Sequence, residues 1–317
     1  MIKKKTLLSF LKKKREKIPV TWVTSYDFPF SRAAELAGID MILVGDSGGM
    51  VQLGYSSTHP VTMEEMITMS KAVRRGAPNT FIIGDMPQGS YEVSDGDAVK
   101  NALRFIKEAE CDAVKCEGGL RVESRIRAMV NAGILVFGHL GLTPQSAESF
   151  GGYHVQGKTV ESFDRIYEDF LSLSQAGICG LLLEGMPSLP SSLIAGRAKF
   201  PVYGIGAGAG LDGQLIIMHD LLGLYPVFRP YFAKCFIPHV VYKFTDTISN
   251  IPDGKDLKIW GIEKKEDGLL YLAQLAIQQY IKEVLSGEFP GKKYSYPLSE
   301  EEFKLLQTSK YWEKHYD

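Results

Sequence analysis

Phe81-Ile82-Ile83-Gly84-Asp85 is a short apolar run that stops at a carboxylate, and the same phrase returns at Ala113-Val114-Lys115-Cys116-Glu117. Outward from these two, Val20-Thr21-Trp22-Val23 leads to Asp27, and Met41-Ile42-Leu43-Val44 leads to Gly45-Asp46-Ser47. Ile134-Leu135-Val136-Phe137 leads to Gly138-His139, and Leu181-Leu182-Leu183 leads to Glu184. Val202-Tyr203-Gly204-Ile205 leads to Gly206-Ala207-Gly208, and Leu215-Ile216-Ile217-Met218 leads to His219-Asp220. These runs are solidly apolar rather than alternating, as parallel strands covered on both faces require. Eight of them at strand-to-helix spacing predict an α/β fold of the (β/α)8 TIM-barrel class. In that fold the carboxyl ends of all strands meet on one face, where catalytic groups gather. One rim then collects several carboxylates, a lysine and a histidine, and the pattern points to an enzyme.

Helical segments fall where the alternation needs them. Thr62 with Glu65 is a capping-box pattern opening a helix over 63–75, and Ser94 with Asp97 opens another through 109. Further helices are expected over 121–132, 160–176 and 188–199, several stopping near glycine at Gly133 and Gly177. The first 17 residues cluster lysines around Leu7, Leu8, Phe10 and Leu11. An organelle-targeting helix is Arg-rich, whereas this stretch is Lys-rich, so it reads as an amphipathic helix over 1–17 capping the bottom of the barrel. From 249 to 317 the character changes: residues 250–267 read as an exposed loop insertion, 269–285 as a helix, and 299–311 as another opened by Ser299 and Glu302. We read this tail as an appendage to a single domain over 1–317.

A net charge of -1 gives no reason to expect nucleic acid or an anionic membrane surface as partner. No apolar run approaches the length that spans a bilayer. Cys111, Cys116, Cys179 and Cys235 have no CxxC spacing, so reduced thiols in a cytoplasmic protein acting on small molecules are the expectation.

Asp46 and Asp85 hold equivalent places, each after an apolar run and a glycine. Lys115 and Glu117 are two apart, so on an extended strand both point one way and Cys116 the other. Three carboxylates converging on one rim suit a hard divalent cation such as Mg²⁺, which takes oxygen ligands and retains waters. Taken singly, each carboxylate reads more simply as an ion-pair or helix-capping partner; three at matching strand ends favour the site. Glu184 ends the most apolar strand, where partial desolvation makes a carboxylate a better base. His139 reads equally as a hydrogen-bond donor to substrate or as a buried structural histidine. His59 and His154 read as loop residues. The glycine run over 204–210 looks like a phosphate-cradling loop but lacks the spacing of a nucleotide-binding fingerprint.

These residues carry a family likeness. Val44-Gly45-Asp46-Ser47, Pro60-Val61-Thr62, Gly84-Asp85-Met86-Pro87, Lys115-Cys116-Glu117-Gly118-Gly119 and the run GHLGLTPQS over 138–146 occur in one order. Gly151-Gly152-Tyr153, Asp212-Gly213-Gln214 and Met218-His219-Asp220 follow. On these motifs the chain resembles the ketopantoate hydroxymethyltransferase family over about 24–234 and again around 286–290. The resemblance implies a barrel of the phosphoenolpyruvate/pyruvate type, a Mg²⁺ ion and a homodecamer. It implies transfer of a hydroxymethyl group from methylenetetrahydrofolate to 3-methyl-2-oxobutanoate, giving 2-dehydropantoate for pantothenate synthesis. By motif, Asp46 and Asp85 are implied to hold the metal with Glu117 contributing. Asp46, Ser47, Asp85 and Lys115 are implied to contact the oxo acid, and Glu184 to accept the proton.

The chain departs from the family pattern at Gly48, Ser56, His59, Gln88 and Gly185, which bears on the pocket walls and folate contacts. Two other readings stand beside the transferase. One is a related Mg²⁺-dependent 2-oxo-acid lyase or mutase, of which the absence of a KKCGH-like loop counts against the familiar isocitrate lyase form. The other is a non-catalytic barrel that binds a 2-oxo acid, against which the intact carboxylate set counts.

Overall fold

In a computed structural model that describes residues 3–237 and 269–312, the chain closes a parallel barrel in the order β1-β2-β3-β4-β5-β6-β7-β8. The strands are Val20–Thr24, Met41–Val44, Phe81–Asp85, Ala113–Glu117, Val136–Gly141, Gly180–Glu184, Val202–Ile205 and Gly213–Ile216. Around them run α1 (Leu7–Arg15), α2 (Phe28–Ala37), α3 (Gly48–Val51), α4 (Met63–Gly76), α5 (Asp95–Glu108), α6 (Glu123–Asn131), α7 (Val160–Ala176), α8 (Ser188–Arg197) and α9 (Met218–Leu222). Two more, α10 (Leu269–Ser286) and α11 (Glu300–Leu306), follow. The capping pairs at Thr62/Glu65 and Ser299/Glu302 form as reciprocal boxes, and the Ser94 side chain caps the Asp97 amide. The expected loop over 250–267 lies outside the described residues.

Strand parity sorts the core into two layers. Val23, Val44, Ile82, Val114, Val136, Leu181 and Val202 face outward and join the cluster beneath the helices. Their neighbours Trp22, Leu43, Ile83, Phe137, Leu182 and Tyr203 face inward and fill the barrel. Phe137 packs within 5.9 Å of Trp22 and 6.2 Å of Tyr203, so the barrel waist is plugged by aromatic rings. From below, Phe10 of α1 meets Phe81 edge-on at 5.3 Å.

Three local outcomes differ from the sequence expectation. First, α2 was not anticipated; Asp27 caps it through the Phe30 amide. Second, the eighth strand lies two residues ahead of its apolar run: it covers Gly213–Ile216, and Met218, His219 and Asp220 begin α9 instead. Third, the glycine run is a packing device. Seven residues join β7 to β8, too few for the usual crossover helix between parallel strands, so a bent loop returns along α8 instead. A Cβ on Gly208 would lie 2.0 Å from Ser188 Oγ, and one on Gly210 would lie 2.2 Å from Ser192 Oγ, one helical turn further along. The cradle is already filled by serines of its own chain.

The tail is built into the wall. The α10 helix packs on α2, and its Tyr280 hydroxyl lies 3.0 Å from the Trp22 carbonyl and 2.5 Å from the Gln214 carbonyl, across the β1–β8 seam. Beyond α10, Tyr296 pairs with Pro187 in an isolated parallel bridge, and Tyr311 stacks on Tyr167 at 4.4 Å. No described helix is long and apolar enough to cross a membrane.

Candidate active site at the barrel mouth

The inward parity that places Ile83, Ala113, Phe137 and Leu182 in the barrel continues, two residues on, to Asp85, Lys115, His139 and Glu184. Two further along, Glu117 ends β4 on the same side. Apolar residues thus give way to ionisable ones in a single step up each strand. Asp46 and Ser47 enter from the turn after β2. All seven line one small cavity of about 60 Å³, closed below by Leu43, Leu182 and Leu215.

Lys115 is the hub. Its ammonium lies 2.8 Å from Asp85 Oδ1, 3.2 Å from His139 Nδ1 and 3.5 Å from Glu117 Oε1. Burial opposes its charge, but Asp85, Glu117 and Asp46 outweigh that and hold its pKa above the usual value. His139 bridges two carboxylates, with Nδ1 3.3 Å from Glu117 Oε1 and Nε2 3.2 Å from Glu184 Oε2. Burial and the Lys115 charge both oppose protonation of His139. The two carboxylates prevail and raise its pKa.

The carboxylates are not equivalent. Burial pushes Glu117 up, but Lys115, His139 and the Gln145 amide, which donates to Oε2 at 3.0 Å, pull it below the usual carboxylate range. Asp46 goes the other way: burial, then the Asp85 and Glu117 charges, raise it well above its ordinary value. Asp85 is also raised, by burial that Lys115 only partly offsets. Asp46, Asp85 and Glu117 are each at most 3% exposed, with one lysine among them. Buried charges of one sign ionise together only when a counter-charge is supplied.

Sequence reasoning left out the residues that hold this set in place. The Gln145 side chain donates to Asp46 Oδ2 at 2.8 Å and to the Met86 carbonyl at 3.0 Å, and it accepts from the Tyr91 hydroxyl at 2.8 Å. His59, expected as a loop residue, sits with Nε2 3.1 Å from the Gln145 carbonyl. Tyr26 ties Ser47 Oγ at 2.9 Å to Thr24 Oγ1 at 2.8 Å. Gln145 lies in the run 138–146, but nothing in its spacing marks it as buried. The departures from the family pattern stay out of the cavity. A Cβ at Gly48 would meet Tyr26 Cδ1 at 2.6 Å, so the Tyr26 ring occupies that space; Gln88 is exposed.

A family model described as ketopantoate hydroxymethyltransferase matches residues 4–249. The chain belongs to the ketopantoate hydroxymethyltransferase family. Its relatives include the 3-methyl-2-oxobutanoate hydroxymethyltransferase of Alkaliphilus metalliredigens, 46% identical over 98% of this chain and 100% of that protein. The protein of the same name from Desulfotalea psychrophila is 40% identical over 93% of this chain and 95% of its own length. Among solved structures, 2,3-dimethylmalate lyase, a member of the PEP mutase/isocitrate lyase superfamily, aligns with a TM-score of 0.52 at 16% identity, over 87% of this chain and 97% of its own. Phosphonopyruvate hydrolase, solved with oxalate and Mg²⁺, aligns with a TM-score of 0.55 at 11% identity, over 88% and 98%. At those identities the likeness concerns the barrel alone. The site of this hydroxymethyltransferase-family chain therefore rests on its own residues.

Proposed function

We propose that this barrel mouth transfers a hydroxymethyl group from methylenetetrahydrofolate to 3-methyl-2-oxobutanoate, forming 2-dehydropantoate. The observation that carries the reading is the convergence of Asp46, Ser47, Asp85, Lys115, Glu117 and Glu184 on one cavity, in a chain 46% identical to a protein of that name. The donor set fits Mg²⁺: hard carboxylate oxygens, no thiolate, and a surplus of buried negative charge that Lys115 alone does not balance. Asp46 and Asp85 are the ligands in this reading, with Glu117 contributing its charge. Mg²⁺ bound there supplies Lewis-acid polarisation of the substrate's 2-oxo group.

The rest is work for the chain itself. Lys115 neutralises the acid's charge, and Ser47, oriented by Tyr26, offers a hydroxyl to it. Glu184 is the one carboxylate of the set with open access, its side chain 16% exposed and braced by His139 Nε2. It takes the proton from the carbon beside the ketone, and a positioned base of this kind contributes roughly 10²–10⁴ in rate. The carbanion so formed bonds to the donor's methylene carbon. Both carbon–nitrogen bonds of that methylene break in the course of transfer, one water supplies the hydroxyl oxygen, and tetrahydrofolate leaves with its two N–H protons restored. The aromatic plug below keeps bulk water from that carbon.

Proton NMR of 3-methyl-2-oxobutanoate in deuterated buffer with Mg²⁺, with and without methylenetetrahydrofolate, tests this. We expect exchange of the proton beside the ketone without the donor, and 2-dehydropantoate with it. Exchange without product under both conditions would assign the enolising site to a different reaction. A cytoplasmic homodecamer belongs to the same proposal, and sedimentation returning a monomer would remove it.

A further inference from the structure

The cavity at the mouth, about 60 Å³, is far smaller than a fused-ring donor, whose ring must lie outside on the rim. On the Glu184 side that rim is aromatic, and part of it arrives from outside the segment the family model matches. The chain beyond α10 turns back to the rim beside β6 and pins Tyr296 to Pro187, three residues past Glu184. The Tyr296 ring lies 5.7 Å from Tyr231, their planes 31° apart, and meets Phe232 edge-on at 6.2 Å. Phe232 in turn covers Gly206 at the end of β7. The pair is backed by the barrel and open in front: Tyr231 is 57% exposed. Burial, then the Glu184 charge, then Tyr231 raise the Tyr296 hydroxyl pKa, so this ring and the base share one electrostatic neighbourhood.

We propose that Tyr296 and Tyr231 form an aromatic platform that receives the planar ring of the one-carbon donor and holds its methylene over the cavity, beside Glu184. The proposal rests on the function given above and adds the donor's place to it. Splayed, half-open rings backed by a packed wall suit a flat heteroaromatic ligand, because offset stacking rewards contact across a face and needs no matched hydrogen bonds. The platform touches the second substrate only, so it separates two half-reactions: proton removal from the oxo acid needs no platform, and transfer does.

The test is to measure both half-reactions in the full-length chain with Mg²⁺, comparing Tyr296→Ala, Tyr296→Phe and Tyr231→Ala with wild type. We expect each alanine variant to raise KM for methylenetetrahydrofolate by roughly 5- to 150-fold, the range of losing one ring from a stacked heteroaromatic. Solvent exchange of the oxo acid's proton stays within about twofold, and Tyr296→Phe, which keeps the ring, recovers most of the loss. Exchange falling in step with transfer would overturn the proposal, because the ring would then merely support Glu184 or the fold. An unchanged donor KM in both alanine variants would overturn it too. Should Tyr296→Ala fail to fold, the exposed Tyr231→Ala decides alone. Wild-type chain that exchanges and never transfers would break the functional reading itself, and the platform with it, without recourse to any variant.

Discussion

The barrel has a cluster of carboxylates and cations at each end, and only one of them is balanced. At the bottom, Asp40 meets Lys13 at 2.6 Å, Lys5 at 3.2 Å and the Thr21 amide at 3.0 Å. Asp112 meets Arg74 at 2.6 Å, Lys4 at 2.9 Å and the Ile82 amide at 2.8 Å, while Asp212 takes Lys14 at 2.7 Å and the Val202 amide at 2.8 Å. Cations outnumber carboxylates there, and burial of Asp40 is overcome by Lys5 and Lys13, so its pKa falls. At the top, four carboxylates share Lys115 and one histidine, and Asp46 rises. Acidic residues at strand ends therefore mean opposite things at the two ends. A cluster closed by its own chain holds the fold together, and one left in deficit is built to take a charge from outside.

The deepest cut at this contrast is Glu184→Gln. We expect proton exchange and transfer to fall by roughly 10²–10⁴ with the melting temperature near wild type, because the side chain is partly open and its hydrogen-bonding shape persists; unchanged exchange dismisses Glu184 as base. Asp85→Asn comes next. It removes the 2.8 Å partner of a buried lysine, and breaking a buried pair costs about 3–5 kcal/mol, so oxo-acid and Mg²⁺ binding should weaken along with stability in calorimetry. Its counterpart below, Asp40→Asn, should lower stability by about 1–3 kcal/mol and leave kcat untouched, since its lysines keep access to water. A kcat loss there would erase the distinction between the two ends.

Acid should act on the ends in opposite directions. Asp40, with its pKa lowered, contributes stability that is present above the unfolded value near ~3.9 and lost as pH falls through the folded one. Asp46, with its pKa raised, favours the folded chain at low pH and loses that contribution as pH rises through the folded value. Mg²⁺ competes with the Asp46 proton. Thermal melts should therefore show Mg²⁺ stabilisation at neutral pH, about 2.7 kcal/mol at one hundred times Kd, fading on acidification. A Mg²⁺ effect independent of pH would place the ion elsewhere. The smallest effect is Lys12→Ala: its pair with Glu16 is mostly exposed, and denaturant midpoints should move by less than about 0.5 kcal/mol.

Parity explains what the sequence makes legible. Runs such as Phe81-Ile82-Ile83 announce strands, and a two-residue step from Ala113 to Lys115 to Glu117 states which side chains share the barrel interior. That reasoning needs only local periodicity. It fails where the deciding contact is distant in the chain. Gln145 matters because it reaches Asp46, and the glycine run matters because Ser188 and Ser192 lie against it. The apolar run over 215–218 outlasts its strand because buried helix and buried strand look alike in hydropathy. The N-terminal stretch reads as a helix capping the barrel bottom, but the carboxylates that Lys4, Lys5, Lys13 and Lys14 meet, on Asp40, Asp112 and Asp212, lie too far along the chain to be read with it.

The aromatic plug at the barrel waist has a kinetic side. With Trp22, Phe137 and Tyr203 sealing the floor, the cavity is a cul-de-sac with one door, and the platform proposed for the donor stands across that door. Traffic through a single door runs in sequence. In the proposed arrangement the oxo acid should enter first and its product leave last, an order that steady-state product inhibition would read out and that would trace to the barrel's stopper, far from any reacting atom.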